Sequence, residues 1–256
     1  MMSRLSFALI LVLLAGCASN AAPDLGDDQR SKAVRNRVVA GLEYLKKGDP
    51  SAARRHLIRA VELDDSSAEA HNALSLLYKY EGDVEREEYH LKKALRADSN
   101  FGPARNNYGT YFLDRGDLDN ALKQFKKASN ITSYTGRGVA YENMGRVYLS
   151  QGEQDKAMDA FNKAMRLNPE GTVALLEMAD LYLARDNTEM ARRFYEQYSK
   201  KVNSQSARGL WVGIRVMALT GDRDAQASYE LALQNLYPKS RELQQWKEWR
   251  QNKGGS

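Results

Sequence analysis

Few residues of this chain have side chains suited to catalysis or to metal binding. There is one cysteine, Cys17, and there are three histidines, His56, His71 and His90. Such side chains serve as nucleophiles, general bases or zinc ligands when suitable partners lie close by. Because a lone cysteine cannot form an internal disulfide bond, the role of this thiol must be sought in its sequence context.

The histidines and acidic pairs do not have the spacing of a metal or catalytic site. His56 and His90 are 34 residues apart, which is one period of the repeat that starts at residue 34. Equivalent positions on packed helices are about 10 Å apart, whereas zinc–nitrogen bonds are about 2 Å long. We expect both at the surface and His71 in a structural role. The pairs Asp64-Asp65 and Glu87-Glu88 lie near turns or on helix faces, where solvated charges are expected.

Sequence motifs of catalysis are also absent from the chain. It contains no P-loop, no GxGxxG, no HExxH and no GxSxG. We therefore expect no enzymatic activity, no metal ion and no cofactor. The only attached group that we expect is a covalent lipid on Cys17.

The N-terminus indicates what Cys17 does. Residues 1–16 read MMSRLSFALILVLLAG: one arginine, a short apolar run and two small residues. This is the pattern of a secretory signal peptide, too short to span a bilayer as a mature helix. Leu14-Ala15-Gly16-Cys17 resembles the lipobox of bacterial lipoproteins, which implies cleavage before Cys17 and acylation of Cys17. The alternative is a buried free cysteine beside an ordinary cleavage site.

Acylation would anchor the mature chain to a membrane. Each buried methylene contributes about 0.8 kcal/mol, so several acyl chains hold stably. By resemblance to enterobacterial sorting rules, Ala18 and Ser19 favour the periplasmic face of the outer membrane. Residues 18–33 carry Ser, Asn, Pro, Gly and three Asp, with little apolar periodicity. We therefore expect 17–33 to form the acylated N-terminus and a flexible tether.

The charge pattern argues against a nucleic-acid partner. The net charge is +5, and 28% of the residues are charged. Lys and Arg are interspersed with Asp and Glu, whereas a nucleic-acid site needs a clustered basic patch. We interpret the charge as a solvated surface, and we expect no nucleic acid and no small-molecule substrate.

From residue 34 the chain repeats every 34 residues. Small residues recur at the eighth position, where two helices approach closely, and large residues recur at the twenty-fourth. The eighth positions are Gly41, Ser75, Gly109, Gly145, Ala179 and Gly213, and the twenty-fourth are Leu57, Leu91, Phe125, Phe161, Tyr195 and Tyr229. Two residues depart from the pattern: Glu87 replaces a small residue, and Tyr198 replaces an alanine. We expect looser or adjusted packing there.

The period and the columns resemble the tetratricopeptide repeat (TPR), a helix–turn–helix unit. The predicted fold is all-α, a right-handed superhelical solenoid of six TPRs over 34–239, followed by a capping helix and tail over 240–256. The six units are 34–67, 68–101, 102–135, 138–171, 172–205 and 206–239. In the last segment Leu243, Trp246 and Trp249 recur every three residues, as expected of a helix that covers the end of the stack. A separate tryptophan binding site is the alternative.

The first helix of each TPR lines a concave groove that takes a peptide or a partner helix. By resemblance to other TPR proteins, repeat positions 2, 5, 9, 12 and 13 face this groove. The candidate partner-binding residues are Val38, Leu42, Leu45, Lys46, Asn72, Leu76, Tyr80, Asn106 and Leu113. An amphipathic ligand helix would suit the apolar stripe, although residues 18–33 or a neighbouring molecule could cover it instead. The apolar set Leu210, Ile214 and Met217 in the sixth repeat ranks second, because the C-terminal helix could shield it.

Several stretches go beyond the TPR pattern. They are Asn106-Asn107-Tyr108-Gly109, Tyr141-Glu142-Asn143-Met144-Gly145, 174–180, Gly213-Ile214-Arg215, Asp222-Arg223-Asp224 and Leu236-Tyr237-Pro238. With the lipobox and six TPRs, they make the chain similar to the type IV pilus biogenesis and stability lipoproteins of the PilF/PilW family.

That resemblance implies a pilotin, an outer-membrane lipoprotein that binds subunits of the pilus secretin and promotes their localisation and multimer assembly, with an effect on twitching motility. Its acyl anchor corresponds to Cys17. The groove residues are our inference and are not carried over from the family. The alternatives are a TPR lipoprotein adaptor of outer-membrane protein assembly, or one of peptidoglycan enzymes.

Overall fold

The computed structural model describes residues 26–254. Within this range the only regular secondary structure is α-helix, and turns and short loops join the helices. The helices of the described chain are α1 (Asp27–Lys46), α2 (Pro50–Leu63), α3 (Ala68–Glu81), α4 (Val84–Ala97), α5 (Gly102–Leu113), α6 (Leu118–Asn130), α7 (Arg137–Ser150), α8 (Gln154–Leu167), α9 (Val173–Leu183), α10 (Thr188–Lys201), α11 (Ala207–Thr220), α12 (Arg223–Leu236) and α13 (Arg241–Gly254).

Helices α1 to α12 form six consecutive pairs, and each pair packs together more extensively than it packs against any other helix. We call the first helix of each pair the inner helix and the second the outer helix. Each outer helix also packs against the inner helix of the next pair, which builds a continuous stack. The predicted all-α solenoid of six repeats with a terminal helix is confirmed.

Glycine and aspartate set the turn inside most repeats. In the second repeat Gly82 has φ of 73°, a left-handed conformation that ends α3. The next residue, Asp83, accepts a hydrogen bond from the backbone N–H of Arg86 at 2.9 Å and so caps the start of α4. The same arrangement of a left-handed glycine and a capping aspartate recurs at Gly48, Gly116 and Gly221.

Small residues on inner helices pack directly against large residues on outer helices. A Cβ added to Gly109 would lie 2.5 Å from a ring carbon of Phe125, and one added to Gly145 would lie 2.5 Å from the ring of Phe161. Both phenylalanines are completely buried. The alternation of small and large positions in the sequence is therefore what allows each helix pair to close.

The two departures from the repeat pattern are accommodated by neighbouring residues. Glu87 is buried and pairs with Arg115 of the next repeat at 3.5 Å, and burial raises the pKa of its carboxyl. Tyr198 is buried where an alanine was expected, and Gly209 leaves the space, because a Cβ there would collide with the Tyr198 hydroxyl. The packing is adjusted rather than loose.

The N-terminal boundary differs from the prediction. We expected a flexible tether over 17–33, but α1 begins at Asp27, so residues 27–33 are helical. Asp27 and Asp28 lie in the first turn, where carboxylates interact favourably with the helix dipole. Residues 29–33 contain no proline or glycine to stop the helix. The signal peptide, Cys17 and the rest of the predicted tether lie outside the described residues. No helix in the described range is both long and apolar enough to cross a membrane.

The C-terminal helix covers the last repeat, as predicted. Leu243 and Trp246 of α13 are buried in one cluster with Leu210 and Ile214 of α11. Trp249 packs edge-on against Trp211, with ring centroids 5.8 Å apart. The second-ranked apolar set is therefore largely shielded: Leu210 and Ile214 are 3% and 0% exposed.

Candidate partner-binding groove

The inner helices form the concave side of the solenoid. Inner helices of neighbouring repeats contact each other at most junctions, whereas outer helices of neighbouring repeats do so much less within the described chain. The stack is therefore tighter on its inner side, as in a superhelix whose groove is lined by the first helix of each repeat.

In the first three repeats the groove presents an apolar floor with polar ends. Leu42, Leu45, Leu76 and Leu113 are each partly buried. Leu42 and Leu45 pack against the N-terminal core cluster, and Leu113 packs against the cluster around Phe125. These side chains retain accessible apolar surface on packed helices, which is the form of surface that an apolar ligand face needs.

Tyr80 and Lys46 are the most accessible of the predicted groove residues. Tyr80 exposes 56% of its surface, and its hydroxyl lies 3.9 Å from a Cβ position built on Gly48, so the ring reaches back towards the α1–α2 turn. Lys46 is exposed at the end of α1. Lys79 of α3 and Asp114, the residue that follows α5, form an ion pair of 2.5 Å. A ligand would therefore meet an aromatic ring and charges of both signs beside the leucines.

Two of the predicted groove residues are not accessible. Val38 is only 2% exposed and belongs to the core cluster of α1, α2 and α3. Asn72 is 8% exposed, and its Oδ1 accepts a hydrogen bond of 2.8 Å from Nδ2 of Asn107 in the next repeat. The prediction was wrong for both, because repeat position 5 packs against the following inner helix.

Asn106 shares this geometry but is only partly buried. Its Oδ1 accepts a hydrogen bond of 3.1 Å from Nδ2 of Asn143 in the fourth repeat. Position 5 of one repeat thus bonds to position 6 of the next at two successive junctions. These asparagine pairs hold neighbouring inner helices in register, and they leave Asn106 only partial access to a ligand.

The sequence reasoning missed an accessible apolar residue at the start of the stack. Val39 occupies position 6, which packs against a preceding repeat elsewhere, and in the first repeat it is 59% exposed. Tyr44 is 37% exposed for the same reason, although its ring stacks on His56. The sequence could have predicted this exposure, because the first repeat of a solenoid has no neighbouring repeat on one side.

Ion pairs join the last two repeats on the inner side. Arg208 of α11 lies 2.8 Å from Glu177 and 2.6 Å from Asp180 of α9. Asp180 also pairs with Arg215, whose guanidinium lies 4.9 Å from the Trp211 ring centroid. All of these charges are used within the fold, so this region is a structural junction rather than an open site.

Two of the three histidines, His71 and His90, contact each other. Nδ1 of His71 is 2.9 Å from Nδ1 of His90, and Nε2 of His71 donates to the carbonyl oxygen of Asp65 at 2.9 Å. His71 is buried, as a structural role requires, but His90 is only partly exposed and not a free surface residue. Burial, with the neighbouring His71, lowers the pKa of His90 to about 4. No group of three or more potential metal ligands occurs among the described residues.

The repeats and the groove define a TPR protein. Models of the tetratricopeptide repeat match residues 38–100, 102–170 and 148–209. Together these matches cover most of the helical stack, and they agree with the helix pairs described above.

The chain is 34% identical over 240 residues to the type IV pilus assembly protein PilF of Pseudomonas aeruginosa, covering 93% of this chain and 95% of that protein. It also resembles the solved structure of P. aeruginosa PilF, with 35% identity, a TM-score of 0.77, and coverage of 86% of this chain and 98% of that one. The chain therefore belongs to the PilF family of type IV pilus biogenesis TPR proteins. A crystal structure of PilW, a type IV pilus biogenesis factor, shares the fold at 22% identity and a TM-score of 0.70, covering 84% of this chain and 98% of that one.

Several of the stretches that go beyond the TPR pattern make contacts between repeats. Tyr108 donates to Glu88 of the preceding repeat at 2.9 Å, and Tyr237 donates to the backbone oxygen of Gln205 at 2.7 Å. The asparagine pairs and the ion pairs of Asp180 belong to the same stretches. These residues therefore help to join neighbouring repeats of this chain.

Proposed function

We propose that this protein is a pilotin: a lipid-anchored TPR scaffold that binds secretin subunits of the type IV pilus machinery and promotes their localisation and assembly in the outer membrane. It acts by binding and not by catalysis. The family membership establishes a role in type IV pilus biogenesis, and the secretin, the anchor and the membrane are the proposed part.

The observation that carries the proposal is the groove of the first three repeats in a chain of this family. Its partly exposed leucines and the half-exposed Tyr80 lie on packed helices, and no residue between 26 and 254 covers them fully. A secretin segment with an apolar face would fill this groove in the helix-in-groove mode. We assign the contacts to Leu42, Leu45, Lys46, Leu76, Tyr80, Leu113 and the accessible part of Asn106.

The proposed anchor supplies the transport step. Acylation of Cys17 would attach the groove to a membrane, so that a bound secretin subunit travels with the lipoprotein. Holding the subunit and the membrane on one molecule raises the effective concentration of the subunit at the bilayer. The groove and the anchor are thus separable: substitutions in one should leave the other intact.

Crosslinking mass spectrometry on intact cell envelopes tests the proposal. We expect crosslinks from the α1 and α3 lysines, Lys46 and Lys79, to a secretin subunit. Lys239, which is exposed near the C-terminus, is the control position, and it should give few such crosslinks. Crosslinks chiefly to subunits of the outer-membrane protein assembly machine or to peptidoglycan enzymes would replace the pilotin assignment with an adaptor role.

A further inference from the structure

The outer helices of the second to fourth repeats carry an excess of basic side chains that the groove does not use. The outer helices of these repeats bury positions 20, 24 and 27, so positions 22, 26 and 29 lie on the opposite side of each helix. In these three repeats the nine outward positions include one carboxylate, Asp159. They also include six basic residues, here called the outer basic band: Lys93, Arg96, Lys123, Lys127, Lys163 and Arg166.

These six charges are not neutralised within the described chain. Five are exposed and Lys93 is partly exposed. None of the six forms an ion pair with a described carboxylate, whereas Lys79 and Arg208 on the inner helices α3 and α11 both do. The interspersed pattern along the sequence therefore conceals a segregation in space.

Helix dipoles explain only part of this band. Basic residues are favourable in the last turn of a helix, which accounts for Arg96, Lys127 and Arg166. Lys93, Lys123 and Lys163 lie before the last turn, so the dipole gives no reason for them. Like charges gathered on one side of the stack repel one another over roughly the Debye length of about 8 Å, and an anionic surface would relieve that repulsion.

We infer that the outer basic band docks the solenoid onto the anionic phospholipid headgroups of the membrane that holds the N-terminus. This inference rests on the proposed anchor. Asp27 lies only ten positions after Cys17, and at about 3.5 Å per position this stretch spans at most about 35 Å. Each basic side chain near an anionic bilayer strengthens binding about fivefold. Because the band and the groove lie on opposite sides, docking leaves the groove open to the periplasm.

Lipid quenching of a probe on the full chain tests this orientation. Gln197 is exposed at position 26 of the fifth repeat, beside the band, and Ser150 is exposed on the inner helix α7. Each is replaced by cysteine, labelled with a polarity-sensitive dye, and the chain is reconstituted into vesicles that contain brominated lipid. The unsubstituted chain provides the labelling blank for Cys17.

In vesicles containing phosphatidylglycerol, quenching at Gln197→Cys should exceed quenching at Ser150→Cys several-fold. The difference should vanish in phosphatidylcholine vesicles, in high salt, and with the band reversed by Lys123→Glu, Lys127→Glu and Arg166→Glu. Reversal of three exposed basic residues elsewhere is the matched control and should preserve the difference: Lys47→Glu, Arg223→Glu and Lys239→Glu. Circular dichroism verifies the fold of both triple variants.

Equal quenching of the two probes in anionic vesicles would overturn the inference, and so would an equal effect of the two triple variants. Either result would leave the band to another anionic partner, such as an acidic protein. A chain that fails to float with the vesicles at all would instead refute the proposed anchor, so the two failures can be told apart.

Discussion

Replacement of Tyr80 by alanine should weaken secretin binding without unfolding the protein. Tyr80 exposes 56% of its surface, which is about 100 Å² of a tyrosine that can bury about 200 Å². At about 25 cal/mol per Å², covering this surface contributes about 2.5 kcal/mol. Ordering the side chain costs about 1 kcal/mol. The net loss of about 1.5 kcal/mol corresponds to a Kd about tenfold higher for Tyr80→Ala.

The assay is isothermal titration calorimetry with the periplasmic part of the secretin subunit. Tyr89 provides the matched control, because it is 50% exposed but lies on the outer helix α4. Tyr89→Ala should leave the Kd unchanged, and both variants should unfold within about 0.5 kcal/mol of the parent, as exposed substitutions do. A Kd that is unchanged in Tyr80→Ala but raised in Tyr89→Ala would refute the assignment of the groove.

Three further predictions concern stability. Gly145→Ala places a Cβ against the buried ring of Phe161, so it should lower the free energy of unfolding in urea by about 1–3 kcal/mol, whereas Gly26→Ala, with open space around it, should change it little. Asp180→Asn weakens the ion pairs to Arg208 and Arg215. We expect the free energy of unfolding to fall by about 1–3 kcal/mol. A double-mutant cycle with Arg208→Gln that shows no coupling would contradict this prediction. Because the folded-state pKa of His90 is lowered to about 4, the unfolded chain takes up the proton first as the pH falls. The contribution of the neutral histidine to the free energy of unfolding is therefore present above about pH 6.5 and is lost as the pH falls towards 4. Comparison of urea unfolding at pH 7 and pH 5 should show a loss on the order of 1 kcal/mol, discounted for partial exposure, that is smaller in His90→Gln.

The sequence was sufficient for the architecture because each repeat column has a direct packing reason. A small residue at position 8 and a large one at position 24 imply a close helix pair, and six copies of the pattern imply six pairs. Glycine followed by aspartate at the turns agrees with left-handed termination and capping. The aromatic spacing after Ser240 was likewise enough to predict the terminal helix that covers Trp211.

The sequence was not sufficient for contacts that depend on how neighbouring repeats are placed. Val38 and Asn72 lie on the same helix faces as the accessible groove residues. They are buried only because the next inner helix packs against them. The contact between His71 and His90 joins two helices of one repeat through ring orientations that no periodicity encodes. The start of α1 at Asp27 depends on weak local helix propensities. The polar composition of residues 27–33 led us to expect a tether there instead of a helix.

The central claim is tested most directly by the distribution of secretin multimers between membranes in cells that carry Cys17→Ala. Inner and outer membranes are separated on a density gradient, and the multimers are quantified in each fraction. We expect the variant to bind secretin subunits through the groove but to leave few multimers in the outer membrane. A normal amount of outer-membrane multimers in Cys17→Ala cells would contradict delivery by a lipid-anchored scaffold.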